Sequence, residues 1–198
     1  MDSEFEKIKE LASQYQDKRE DEGHAETVIN FAIKLLETAE ANQRVIIPAA
    51  ILHDIGWSQL PDRQRLIIWN QNATIEEKKL ARFAHQEQGV RLAKQILEEI
   101  NYPQDKIKEI LEIISQHDTR QGFISKNEGL VRDADKLSRF SKNDLFTLRK
   151  QNKTNKELQK IYEKLENQIT EENFFYSEKA KQIAREELKN RKNEIVKD

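Results

Sequence analysis

The chain has 198 residues, with 34 Lys and Arg against 36 Asp and Glu for a formal charge of −2, so no bulk field draws it to nucleic acid or to anionic lipid. It has no Cys, which excludes disulfides, thiolate nucleophiles and zinc-ribbon sites and leaves His, Asp and Glu as the only metal donors. With 5 Gly, 3 Pro, an acidic start at Met1-Asp2-Ser3-Glu4 and no window near the ~18–20 apolar residues of a spanning helix, the expectation is a soluble, helical, cytoplasmic protein without membrane or nucleic-acid partners.

Phe5, Ile8, Leu11 and Tyr15 recur at intervals of three and four, the spacing of one helical stripe. A second helix is predicted from about His24, its wide apolar side (Val28, Phe31, Ala32, Leu35, Leu36, Ala39) marking it as central. Arg44 to Asp54 read R-V-I-I-P-A-A-I-L-H-D, a short helix expected to be buried, with Pro48 in its first turn and Gly56 as a left-handed stop just beyond. Trp57 to Ala73 carries Pro61 and no clean period, and reads as a loop with room for one helical turn. Thr74-Ile75-Glu76-Glu77 has capping-box spacing and opens a helix to Ile100, in which Gly89 is a candidate break. Pro103 starts the next, whose stripe Ile107, Ile110, Leu111, Ile113 and Ile114 leads to His117, and a helix around Leu130 to Phe140 follows.

After Phe140 the composition shifts. Ser141 to Asp198 has no Gly, Pro or His and is dense in Lys, Glu, Asn and Gln. A capping box at Thr154 to Glu157 and the cluster Phe174-Phe175-Tyr176 predict two or three amphipathic helices there rather than a disordered tail. No strand-like alternation occurs, so the fold class is all-α. The expected organisation is a helical metal-binding domain over 1–140 and a charged helical extension over 141–198 packed on or beside it, serving as a cover for the core or as a surface for a partner or a homodimer.

The four His stand at 24, 53, 85 and 117, each on or at the end of a different predicted helix. His53 is followed directly by Asp54 at the end of the apolar helix. Consecutive side chains diverge by about 100° within a helix, but in a final turn both can lean toward one point. An imidazole and a carboxylate meeting there form half of an N/O metal site. Asp135, within Val131-Arg132-Asp133-Ala134-Asp135-Lys136-Leu137, again has apolar neighbours.

The pattern His24, His53-Asp54, Asp135 resembles the HD-domain superfamily of metal-dependent phosphohydrolases. G-H-A-E-T-V is similar to the segment around that family's first His, A-A-I-L-H-D-I-G to its central dyad and D-A-D-K-L to its last Asp, so that the likeness spans roughly residues 20–140. It implies an HD-domain helical bundle with His24, His53, Asp54 and Asp135 as metal ligands, and with His85 and His117 ligating a second ion or holding substrate phosphate. Asp133 then has the plainer role of a cap or hydrogen-bond acceptor. Asn101-Tyr102-Pro103 lacks the Gly of the Gly-Tyr-Pro found in cyclic-dinucleotide phosphodiesterases, the acidic motif of stringent-response hydrolases is missing, and the chain is short for the large triphosphohydrolases.

Two imidazoles and two carboxylates suit Mn, Fe, Co, Ni or Zn, and accept Mg. One or two such ions would polarise a phosphoryl group and lower the pKa of water toward neutrality. The expected activity is hydrolysis of a small phosphorylated substrate, a nucleotide phosphomonoester or diester, with Asp54, His85, His117 and Lys136 taking catalytic parts. Lys136 and Arg139 are candidates for the phosphate, or else solvated helix charges. Trp57, Arg63 and Arg65 are candidates for a lid or a base-stacking wall, Glu87 for orienting His85, and Asp118 beside His117 echoes the main dyad. The alternatives are a non-catalytic scaffold or ligand sensor stapled by metal, and a di-iron oxygenase of the same fold.

Overall fold

The computed structural model describes residues 3–70 and 72–197. It contains ten α-helices, α1 Ser3–Ala12, α2 His24–Leu36, α3 Gln43–Leu52, α4 Asp62–Arg65, α5 Ile75–Glu99, α6 Gln104–Gln116, α7 Lys126–Ser138, α8 Lys142–Lys150, α9 Asn155–Thr170 and α10 Glu178–Lys197, and no strand among the described residues. The all-α expectation holds. Among the described residues no helix is long and apolar enough to cross a membrane.

The centre is α3. Every side chain from Val45 to Leu52 is buried, as befits a helix apolar on all sides, and α1, α2, α6 and α7 pack around it. Its first turn begins at Gln43, capped by the Asn42 side chain accepting from the Arg44 N–H, so Pro48 lies in the helix interior and not in the first turn. A proline there cannot bond the carbonyl four residues back. The Tyr102 hydroxyl, itself buried, donates to that Arg44 carbonyl at 2.7 Å. Tyr102 of the Asn-Tyr-Pro stretch thus closes a gap in the central helix, and Pro103 next to it is the N-cap of α6.

Gly56 is not a left-handed stop; its place is dictated by close approach. It sits in a 3-10 turn, Ile55–Gln59, against the middle of α5, where an added Cβ would meet the His85 carbonyl at 1.9 Å and the Gly89 nitrogen at 2.4 Å. Gly89 accordingly marks a backbone contact and not a break, and α5 runs unbroken for 25 residues from its Thr74 capping box. The stretch from Trp57 to Asn70 folds into more than a loop with one turn: α4 and a further 3-10 turn, Leu66–Trp69, follow Pro61, and Ile67 and Ile68 pack on a small cluster of Trp57, Leu60 and Ala81.

The three C-terminal helices share the main core. One continuous apolar cluster runs from Phe5 through Leu145, Leu158 and Tyr162 to Ile195. The seam is a polar bolt: the buried Asp133 carboxylate on α7 accepts the backbone N–H groups of Tyr176 (2.7 Å) and Ser177 (2.9 Å) and the Ser177 hydroxyl (2.7 Å) at the entry to α10.

Gly56→Ala drives a methyl group into the α5 backbone. Overpacking of this kind costs on the order of 3 kcal/mol, so the variant is expected to melt well below the parent in thermal denaturation followed by circular dichroism; an unchanged transition would rule out the close approach.

Candidate metal centre

Five helices deliver donor atoms to one place. His24 opens α2, preceded by Gly23 in a left-handed conformation (φ 80°) and held by the Asp17 carboxylate, which accepts the N–H groups of Gly23 (2.8 Å) and Ala25 (3.0 Å). His53 and Asp54 follow α3 directly, His85 lies mid-way along α5, His117 ends α6 and Asp135 lies on α7. At the ends of α3 and α6 one local arrangement occurs twice: His53 Nδ1 lies 2.9 Å from the Ala50 carbonyl and His117 Nδ1 2.9 Å from that of Ile114. Each ring donates its Nδ1–H to its own helix and turns the Nε2 lone pair outward, the arrangement typical of metal-binding imidazoles.

The outward nitrogens converge in pairs. His24 and His53 bring their Nε2 atoms to 3.3 Å, His85 and His117 theirs to 3.4 Å. Asp54 faces both: Oδ2 lies 3.4 Å from His24 Nε2 and 3.5 Å from His53 Nε2, while Oδ1 lies 3.4 Å from His85 and 3.3 Å from His117. Asp135 Oδ1 completes the first group at 3.5 and 3.7 Å from His24 and His53. Two donors each bound at about 2.1 Å to a common ion lie roughly 3–4 Å apart, so these separations fit a cation in each group, with Asp54 shared. Lone pairs of this kind repel across such gaps unless a proton or a cation lies between them.

The carboxylates set the field. Burial disfavours a charged His53 ring, yet Asp54 and Asp135 overcome it and hold its pKa up at about 9. His117 is likewise raised, its burial outweighed by Asp54 and Asp118, whereas burial lowers His85, whose Nδ1 is buried without a hydrogen-bond partner and whose ring stacks on Trp57 at 4.0 Å. Burial alone would raise the two acids. Arg19, His53 and the other rings keep Asp54 well below the carboxylate range, and His53 and His24 do the same for Asp135. The centre is built to hold positive charge.

Arg19 is the residue that sequence reasoning missed. Its guanidinium pairs with Asp54 Oδ2, lies 2.9 Å from Asp21 and sits over the Trp57 ring. It belongs to the run Asp17-Lys18-Arg19-Glu20-Asp21-Glu22, which looks like solvated charge; the left-handed residues Asp17, Glu20 and Gly23 coil this run back over the site. His24, Asp54 and Asp135 border a cavity of about 590 Å³, which is lined as well by Arg19, Trp57 and Trp69 and by residues of α8 and α9.

The remaining candidates divide. Asp118 lines the cavity with Oδ2 3.7 Å from His85 Nε2, and Arg139 lines it as well. Lys136 does not: its ammonium donates to the Phe174 carbonyl and lies over the rings of Phe123 and Phe174 at the α10 seam, so the expected catalytic part is corrected to a packing one. Arg63 is exposed and Arg65 pairs with Asp62; Trp57 and Trp69 wall the cavity in their place. Glu87 pairs with Arg91 on the outer face of α5. The neighbouring Gln86 fixes the segment after His117, accepting the Asp118 N–H at 3.1 Å and donating to Thr119 at 3.1 Å.

A family model described as HD domain matches residues 22–139. A crystal structure of a "predicted HD superfamily hydrolase" from an uncultured Thermotogales bacterium is similar in fold, with TM-score 0.61, 16% identity, and 98% of this chain and 88% of that one covered. No curated protein matches the chain.

Asp133 and Asp135 differ in what they touch, and their variants are expected to differ accordingly. Asp135→Ala loses bound metal measured by plasma emission, while Asp133→Ala keeps it but melts earlier by about 1–3 kcal/mol through three orphaned donors. The reverse pattern would exchange the two assignments.

Proposed function

The chain belongs to the HD domain family, and from that premise we propose that it is a metal-dependent phosphohydrolase acting on a small phosphorylated compound, a nucleotide phosphomonoester or diester. The observation that carries the reading is the shared carboxylate: one oxygen of Asp54 faces His24 and His53, the other faces His85 and His117, and Asp54 itself lines the cavity together with His24 and Asp135. Divalent ions bound there would supply Lewis-acid polarisation of a phosphoryl oxygen and a more acidic water.

The chain's own residues do the rest. His24, His53, Asp54 and Asp135 would hold one ion, and His85 and His117 with Asp54 would hold a second ion or a substrate phosphate. Arg19 fixes Asp54 from the cavity side and adds charge where a phosphoryl group would arrive. The Trp57 indole N–H donates to Asp54 Oδ1 at 3.1 Å, which sets the plane of the carboxylate, and its ring shields His85 from water. Asp118, which lines the cavity beside His85, would accept the proton that an attacking water gives up. Arg139 stands at the cavity wall to orient a phosphate oxygen.

A purely structural staple is the weaker reading, because His24, Asp54 and Asp135 line an open cavity and the helices already share one apolar core. Stripping the protein with EDTA, reloading it with Mn²⁺ and measuring phosphate release from a panel of nucleoside monophosphates and phosphodiesters separates the two. Turnover is expected to vanish on stripping and return on reloading, with the far-ultraviolet dichroism of the stripped protein retained. Metal bound without phosphate release from any compound would overturn the hydrolase reading, and loss of helicity on stripping would favour the staple.

A further inference from the structure

The cavity holds far more than one phosphate, and its outer half lies outside the HD match. Past Arg139 its walls are built by α8, α9 and their connection, residues that follow the matched segment 22–139. Its lining there combines the charged Asp144, Lys153 and Lys164 with an apolar patch, in which Leu148 and Leu165 are buried core side chains and Ile161 packs against the same core. Two half-buried carboxamides also line it, Gln151 just past the end of α8 and Gln168 on α9. Among the described residues neither side chain has a hydrogen-bond partner in the protein. Trp69, which also lines the cavity, is 44% exposed, its ring fixed by an indole N–H donated to the Arg19 carbonyl at 3.1 Å.

This is a combination with a chemical preference. A sugar would require donors and acceptors around its whole rim, and a fatty chain would leave the carboxamides unmatched. A planar heterocycle meets both conditions: its faces contact apolar and indole surface, and its edge offers adjacent donors and acceptors that a carboxamide, carrying one of each, can pair with. A volume of about 590 Å³ lies within the range of small-molecule sites.

We propose that the C-terminal helices form the leaving-group half of the active site, in which Gln151 and Gln168 select a heterocyclic, nucleobase-type group held between Trp69 and the Leu148–Ile161–Leu165 patch. The assignment rests on the hydrolase reading above and names the residues that would set its specificity.

Two measurements test it. In the Mn²⁺-loaded full chain, kcat/KM is compared between the best nucleotide of the panel and p-nitrophenyl phosphate, which lacks a heterocycle, for the parent and for Gln151→Ala, Gln168→Ala and the double variant. The nucleotide preference is expected to fall about tenfold with each single change, mainly through KM. A ratio that stays constant in the double variant overturns the assignment. The second measurement does not need turnover: nucleosides without phosphate are titrated against the tryptophan emission of the parent and of Trp69→Phe. Saturable quenching that is lost in Trp69→Phe, and weakened at least tenfold in the double variant, supports the pocket. Absence of quenching by any nucleoside overturns it. No turnover of any compound combined with quenching would fail the hydrolase reading while leaving the heterocycle pocket standing.

Discussion

The structure depends on where two imidazoles send their protons. At the ends of α3 and α6 the ring Nδ1 of His53 and of His117 bonds the carbonyl three residues back, so both Nε2 lone pairs must turn away from their helices. They turn into a space already occupied by carboxylate oxygens. Acceptors facing acceptors are relieved only by a proton or a cation between them; Arg19 pairs with one oxygen of Asp54, and the carboxylates raise the affinity of the His53 and His117 rings for a proton. The surrounding helices therefore serve to hold a set of groups that is unfavourable by itself and becomes favourable with positive charge between them.

Helix α7 ties this set to the rest of the chain by presenting two acids to two different tasks. Asp135 turns toward His24 and His53, while Asp133, two residues earlier and buried, receives the start of α10. Burial raises the Asp133 carboxyl to about 6, even against the hydrogen bonds from Ser177 and Tyr176 that favour its charge. Gly129, one turn before, leaves room for the Tyr176 ring, which an added Cβ would meet at 2.2 Å. The C-terminal helices are thus fixed by the same helix that carries a donor atom, which is how residues outside the HD match come to wall the cavity.

The helices and the four His were legible because both signals are local: apolar periodicity marks the faces, and a scarce residue stands out wherever it occurs. What was misread depended on distant partners. Gly56 reads as a stop because glycine is usually judged by its own backbone angles, whereas its requirement comes from α5, some thirty residues on. Pro48 reads as a helix start because Asn42, Gln43 and Arg44 look like a polar approach, and the Tyr102 hydroxyl that makes an interior proline tolerable is far along the chain. Lys136 and Arg139 could have been separated by helix geometry: Arg139 lies four residues from Asp135 and shares its face, and Lys136 is turned about 100° away. Arg19 carried no such signal, since only the left-handed turns of its loop bring it inward.

The contact between Gly56 and α5 links backbone to backbone, with no side chain as an intermediary. Side-chain contacts loosen by rotamer hopping long before a domain opens, but two abutting main chains can part only if one of the helices moves as a whole. The separation of Asp54 from His85 is therefore a property of the framework. The amides around this crossing belong among the slowest-exchanging in the molecule, and the donor atoms should scatter in the same cooperative event that opens the fold rather than in an earlier local fluctuation.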